Sequence, residues 1–271
     1  MPRVIANGIQ IGYEQHGEGP HLLLITGVAY DRWFWHKVVP GLAAHFTVTV
    51  FDNRGAGESD KPAGPYTVDM MAADTAALLD ELGIEKTAVL GHSLGGFIAQ
   101  RLVATHSDRV SHLILAGTHH GGQNIVPITP EALDVLTNRQ GDPLELLRRG
   151  VAIAAAPGFA EKHPERFQEI INYRLTNPVP PAQYTAQVMA GVGTGNWSEE
   201  QVAAHMAAIQ MPTLILFGEH DRVVPPGNAE LFAAKIPQAE VCILPGTGHI
   251  FPLEDPEGTV TAVLDFLLRH Q

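Results

Sequence analysis

Six short apolar runs, spaced along the chain with helix-like stretches between them, constrain the fold more than any other feature of this sequence. They are "HLLLITG" from His21, "FTVTVFD" from Phe46, "TAVLGHS" from Thr87, "VSHLILAGT" from Val110, "PTLILFGEHD" from Pro212 and "EVCILPG" from Glu240. Each is continuously apolar and does not alternate with polar residues, the pattern of a strand covered on both faces. The stretches "RWFWHKVVPGLAAH", "TVDMMAADTAALLDELG", "LGGFIAQRLVATHSDR", "GNAELFAAKIP" and "DPEGTVTAVLDFLLRH" carry helical apolar spacing, and Gly83 and Pro237 stand where helices stop. Strand and helix alternate, so the expected class is α/β: a mostly parallel central sheet with helices on both faces. "PRVIANG" and "IQIGYEQHG" alternate instead, split by Asn7 and Gly8, and predict an antiparallel hairpin at one edge.

The rhythm breaks once. From His119 to His205 no buried strand is evident, only helical candidates such as "TPEALDVLTNR", "DPLELLRRGVAIAAA", "ERFQEIINYRL" and "PAQYTAQVMAGV". So long an excursion between strands should have structure of its own. The expected organisation is a core of residues 1–118 and 206–271 with a helical cap, residues 119–205, inserted over the end of the sheet where ligands bind.

Composition narrows the partners. A formal charge of −12 argues against a nucleic acid, whose affinity for proteins comes largely from Lys and Arg meeting phosphates. Cys242 is the only cysteine, which excludes an intrachain disulfide and a cysteine-based zinc site; in "VCIL" it reads as a buried strand residue. The amino terminus does not read as a signal peptide, and no apolar stretch has the length of a membrane span. The expected protein is therefore cytoplasmic, off the membrane, and acts on a small molecule; its oligomeric state is not written in the sequence.

Chemistry concentrates in "GHSLG", Gly91 to Gly95. Glycines on both sides let Ser93 take a strained backbone at a strand-to-helix turn, with its Oγ lifted above the sheet. The same turn places the Leu94 N–H at a helix start, aimed at an oxygen that becomes negative when Oγ attacks a carbonyl. A serine needs a base to take its proton and an acid to orient that base. Asp221 in "GEHDRVVP" and His249 in "PGTGHIFPLEDP" follow two later strands, in loops on the same rim as Ser93. Glu219 is the rival acid, and His92 should be sent elsewhere by the sharp turn.

"ITGVAYDRWFW", "VFDNRGAGESDKP", "GHSLGG", "FGEHDRVVP" and "PGTGHIFPLEDP" together resemble the α/β-hydrolase superfamily over nearly the whole chain. The resemblance implies that fold, a catalytic Ser93–His249–Asp221 set, and a second oxyanion-hole N–H from Val28 beside that of Leu94. Where such enzymes usually have His-Gly after this strand, the chain has Thr26 and Gly27. Haloalkane dehalogenases and epoxide hydrolases place Asp at the elbow, so Ser93 separates this chain from both. The pattern is most similar to carboxylesterases and 3-oxoadipate enol-lactonases, which implies ester or lactone hydrolysis without a cofactor. Carbon–carbon bond hydrolysis, perhydrolysis and a small-molecule receptor role remain as alternatives. Tyr30, Trp33, His119 and His120 are candidate pocket residues, and no metal-ligand spacing recruits the two histidines. In "FDNRGAGESDKP" Gly55 and Gly57 are not followed, at the spacing of a phosphate loop, by its remaining glycine, lysine and Ser/Thr; Asp52, Arg54 and Ser59 read as a structural loop.

Overall fold

The computed structural model describes residues 2–138 and 140–270. The chain opens with β1 (Arg3–Ala6) and β2 (Ile9–His16), the expected hairpin, turned through positive φ at Asn7 and Gly8. The six apolar runs become β3 (His21–Ile25), β4 (Thr47–Phe51), β5 (Thr87–His92), β6 (Val110–Ala116), β7 (Thr213–Gly218) and β8 (Glu240–Leu244). The helices of the first half are α1 (Val39–Leu42), α2 (Val68–Glu81) and α3 (Leu94–His106). Between β6 and β7 come α4 (Pro130–Thr137), α5 (Pro143–Ala154), α6 (Phe159–Lys162), α7 (Pro164–Thr176), α8 (Pro181–Gly193) and α9 (Glu199–Ala208). α10 (Gly227–Lys235), α11 (Phe251–Glu254) and α12 (Pro256–Arg269) complete the order.

The strands form one sheet in the order β1-β2-β4-β3-β5-β6-β7-β8. β3 to β8 are parallel, and β2 runs antiparallel to both β1 and β4. From β3 the chain moves to β4 on one side, and from β5 to β6 on the other. The loops leaving these two neighbouring strands therefore diverge and open a crevice at their carboxyl ends, where α/β sheets bind ligands. Val28 and Ser93 lie in those loops. Most of the core falls into two large apolar clusters, one with α2, α3, α8, α9 and α10, the other with α1, α5, α7, α11 and α12; a small third one joins α4 to α5.

Local chemistry accounts for most element ends. Thr67 caps α2 by accepting from Met70 N, and Gly83 follows its last turn with φ +65°. Thr129 and Asp142 cap α4 and α5, each followed by a proline at the first helical position, where its missing N–H costs nothing. Two expectations change. "RWFWHKVVPGLAAH" is not one helix but a 3-10 turn, Arg32–Trp35, followed by the short α1, because Pro40 is tolerated at a helix start and not within one. Cys242 is half-buried rather than buried, since β8 is the edge strand and leaves Val241 and Ile243 exposed. No helix among the described residues is long and apolar enough to cross a membrane.

Candidate active site

Ser93 sits between β5 and α3 with φ +55° and ψ −118°, a strained backbone for a residue with a side chain. The surroundings demand it. A Cβ on Gly91 would stand 2.3 Å from the Gly95 carbonyl oxygen, and one on Gly95 would stand 2.1 Å from that of Ile25. Only glycine at both places lets strand and helix close on the turn. Ser93 N donates to Ala116 O of β6 at 2.9 Å, which ties the turn to the neighbouring strand. The Leu94 N–H is the first of α3, and the first amides of a helix have no partner within it.

Asp221 follows β7 and His249 follows β8. His249 Nδ1 donates to Asp221 Oδ2 at 2.7 Å, both groups buried. The other carboxylate oxygen accepts from Val223 N at 2.9 Å and Val224 N at 2.8 Å, so the acid is held on both sides. With Nδ1 carrying the proton, neutral His249 offers the lone pair of Nε2. The rival Glu219 turns away: its Oε2 accepts from Gly246 N at 2.8 Å on the exposed side of the loop. Gly117 backs the pair, since a Cβ there would stand 3.3 Å from His249 Nδ1 and 3.4 Å from Asp221 Oδ2.

Ser93 and His249 open onto one cavity of about 320 Å³, together with Gly27, Val28, Tyr30 and His119. Most of the remaining wall is aliphatic, from the stretch Ile125–Ile128 and from α4, α5 and α8. Thr26 supports the Val28 loop in two ways: its Oγ1 accepts from Trp35 Nε1 and its carbonyl from Asn53 Nδ2, both at 2.9 Å. Next to Val28, Ala29 has φ +64°, and its N–H donates to Gln187 Oε1 of α8 at 3.0 Å.

Of the expected pocket residues, Tyr30 and His119 line the cavity. The Tyr30 ring lies under the Arg174 guanidinium, 4.4 Å from the ring centre. His119 Nδ1 accepts from Gly121 N at 3.0 Å, which puts the ring proton on Nε2. Burial, with His120 nearby, lowers the His119 pKa to about 4, so this cavity-lining ring is neutral at neutral pH with its proton on Nε2. Trp33 and His120 do not line it. Asp31 caps the 3-10 turn and directs Trp33 outward, stacked between His36 and Tyr173. His120 points the other way from His119, into the packing around Phe232, with Nδ1 donating to Gly121 O.

Three more residues support these loops: His92, which the sharp turn was expected to send toward packing or a loop, and Gln187 and Glu254, to which sequence reasoning gave no role. His92 packs among Phe34, Trp35 and Phe251, and its Nε2 donates to the His249 carbonyl at 2.7 Å. Burial, reinforced by His249, holds its pKa well below the ordinary value, so it supports the His249 loop as a neutral ring. Gln187 is fully buried and also donates from Nε2 to Arg54 O at 2.9 Å. Its signal was a glutamine between Ala186 and Ala190 on the buried face of a helix. Glu254 is a buried acid inside the apolar run "IFPLE".

The fold recurs among known proteins. A family model described as the alpha/beta hydrolase fold matches residues 20–256. The chain belongs to that family. This α/β hydrolase is similar to a thermophilic esterase from Thermogutta terrifontis, solved with malate bound, at 29% identity with a TM-score of 0.84 over 100% of both chains. It is also similar to the enol-lactonase from Burkholderia xenovorans, with 26% identity and a TM-score of 0.82, covering 98% of this chain and 100% of that one. A third relative is a 2-hydroxy-6-oxononadienedioate/2-hydroxy-6-oxononatrienedioate hydrolase of Pseudomonas putida, 27% identical over 96% of this chain and 92% of its own.

Proposed function

We propose that this α/β hydrolase cleaves a carboxylic ester or lactone through an acyl-enzyme on Ser93. The observation that carries the reading is the His249–Asp221 bond of 2.7 Å at the wall of an apolar cavity that Ser93 also lines. In this reading His249 Nε2 takes the Ser93 proton as Oγ attacks the carbonyl. The N–H groups of Leu94 and Val28 receive the oxyanion, and Asp221 keeps the imidazole in the required tautomer and balances its positive charge. His249 then returns the proton to the leaving alcohol, and water repeats the sequence to release the acid.

The helices between β6 and β7, expected over 119–205, act in this reading as a cap that shapes the cavity. Its aliphatic wall suits a hydrocarbon acyl group, and His119 Nε2–H offers one directed contact for an acceptor oxygen on the substrate. A second reading, carbon–carbon bond hydrolysis on the same residues, draws on the likeness to the Pseudomonas putida hydrolase. The test is Ser93→Ala assayed on a panel of p-nitrophenyl esters and lactones, with intact-protein mass measured for the wild type. Loss of at least about a thousandfold in kcat, and an acyl adduct on Ser93, are expected. A variant retaining more than about a tenth of the wild-type rate removes Ser93 as the nucleophile. Turnover confined to vinylogous diketones would select the second reading.

A further inference from the structure

Against the His249 loop, outside the cavity that Ser93 lines, lies a carboxylate for which the proposed reaction has no use. Glu254 ends α11 and is 6% exposed. Its Oε2 accepts from Ala156 N at 2.7 Å, and its two oxygens share the Gly248 N–H at 3.0 and 3.1 Å. Gly248 immediately precedes His249, and Ala156 lies just beyond the end of α5. Backbone bonds close the same seam: His249 N donates to Ala154 O at 2.6 Å, and Ile250 N to the same oxygen at 3.3 Å. The fit leaves no room for a side chain, because a Cβ on Gly248 would stand 2.6 Å from Ala154 O and Ala156 N. On its other face α5 lines the cavity with Leu146, Leu147, Gly150 and Ala154.

We infer that Glu254 is a positioning residue for His249: its carboxylate staples the His249 loop to the end of the cavity-lining helix α5. The inference rests on the reading of His249 as the base. A carboxylate that accepts from two backbone amides holds them more firmly than a neutral group, and a base displaced by a fraction of an ångström loses its line to the serine. Protonation weakens the staple, because Gly248 N–H loses Oε1 as an acceptor and the remaining oxygen of a neutral carboxyl accepts less strongly than a carboxylate.

The pH at which this happens follows from the surroundings. Burial pushes the Glu254 carboxyl up to about 7, against the opposing pull of the Ala156 and Gly248 amides; Asp221 adds to the rise and His249 opposes it. On its outer side Lys162, His163, Arg166, Asp255 and Thr247 surround the same depression, and Arg166 Nη1 donates to the Glu254 carbonyl. The carboxylate form, and with it the intact staple, is present above neutrality and is lost as pH falls through about 7.

Glu254→Gln keeps the shape and removes the charge, and two measurements on the full chain decide the matter. Amide hydrogen exchange at Gly248 and Ala156 is expected to quicken about tenfold or more in the variant, and in the wild type protection is expected to fall below neutral pH after correction for intrinsic rates. On p-nitrophenyl butyrate, kcat is expected to drop about tenfold with KM nearly unchanged. The acid limb of the profile is expected to move to lower pH and become shallower, because one of two protonations has gone. Unchanged protection overturns the staple. Lost protection with unaltered kcat and acid limb overturns the positioning role. If the wild type turns over no ester, the serine-hydrolase reading fails while the exchange data still decide the staple, and the wild-type exchange profile decides it even if the variant does not fold.

Discussion

Gln187→Met is the sharpest test of how the proposed oxyanion loop is held. Methionine nearly matches glutamine in volume, so the substitution leaves little cavity and removes two hydrogen bonds: Ala29 N–H to Oε1 at 3.0 Å and Nε2 to Arg54 O at 2.9 Å. Gln187 is fully buried, so neither backbone group gains water in exchange. An orphaned buried polar group costs about 1–3 kcal/mol, and two cost about 2–6 kcal/mol in unfolding free energy. The catalytic effect has a separate cause. Ala29 is held at φ +64°, which a residue with a side chain leaves when its clamp is gone, and Val28, whose N–H is the proposed donor, immediately precedes it in the same loop. Loss of one oxyanion donor costs roughly a hundred- to a thousandfold in kcat. Urea unfolding gives the first quantity, and kcat and KM on p-nitrophenyl butyrate give the second. Stability lowered as stated with kcat within about threefold of wild type would refute the claim that Gln187 holds a catalytic donor.

Gly117→Ala adds a Cβ at φ +51°, within 3.4 Å of both His249 Nδ1 and Asp221 Oδ2, so it is expected to cost about 1–2 kcal/mol of stability and more than about tenfold in kcat. An unchanged kcat would mean that the His249–Asp221 pair tolerates displacement. Helix α4 contributes only Ala132 and Val135 to a small apolar cluster with Ile153, whereas α5 also places Val151 in the large second cluster. Amides of α4 are therefore expected to exchange faster than those of α5 in the ligand-free protein; equal protection would rule out α4 as the moving part of the cavity wall.

What could be read from the sequence depended on how local its cause was. Strands showed because a strand covered on both faces is apolar throughout, and the one misread residue among them, Cys242, lies on the edge strand where that condition lapses. Ser93, Asp221 and His249 were placed on one rim because parallel strands send all their following loops to the same end of the sheet. Trp33 went astray because sequence proximity to Val28 does not fix direction: the Asp31 cap starts a tight turn that carries the ring outward to Tyr173. His119 and His120 diverge for a similar reason, since adjacent residues in an extended segment leaving a strand face opposite ways. Gln187 and Glu254 show locally only as polar residues among apolar neighbours; their partners Ala29 and Ala156, 158 and 98 residues away, are what no local pattern announces.

Those long-range bonds also bear on whether the inserted helices and the sheet are separable parts. The loop with Val28 depends on Gln187 of α8, and the loop with His249 depends on the Ala154 and Ala156 backbone at the end of α5. Tyr173 of α7 donates to Asp31 Oδ2 at 2.7 Å, which fixes the turn that follows the Val28 loop. Arg222, next to Asp221, donates to Ala152 O at 2.7 Å and Ala155 O at 3.0 Å. Val151, Ala155, Ile170 and Ile171 of the inserted stretch share one apolar cluster with Leu24 and Leu216 of the sheet. The sheet thus supplies the side chains of the proposed reaction, and the inserted helices hold the loops that aim them. A shortened chain without residues 119–205 would lose these partners of the Ala29, His249 and Ile250 N–H groups and of the Asp31, Arg222 and Glu254 side chains, and would not keep the geometry from which the proposed chemistry follows.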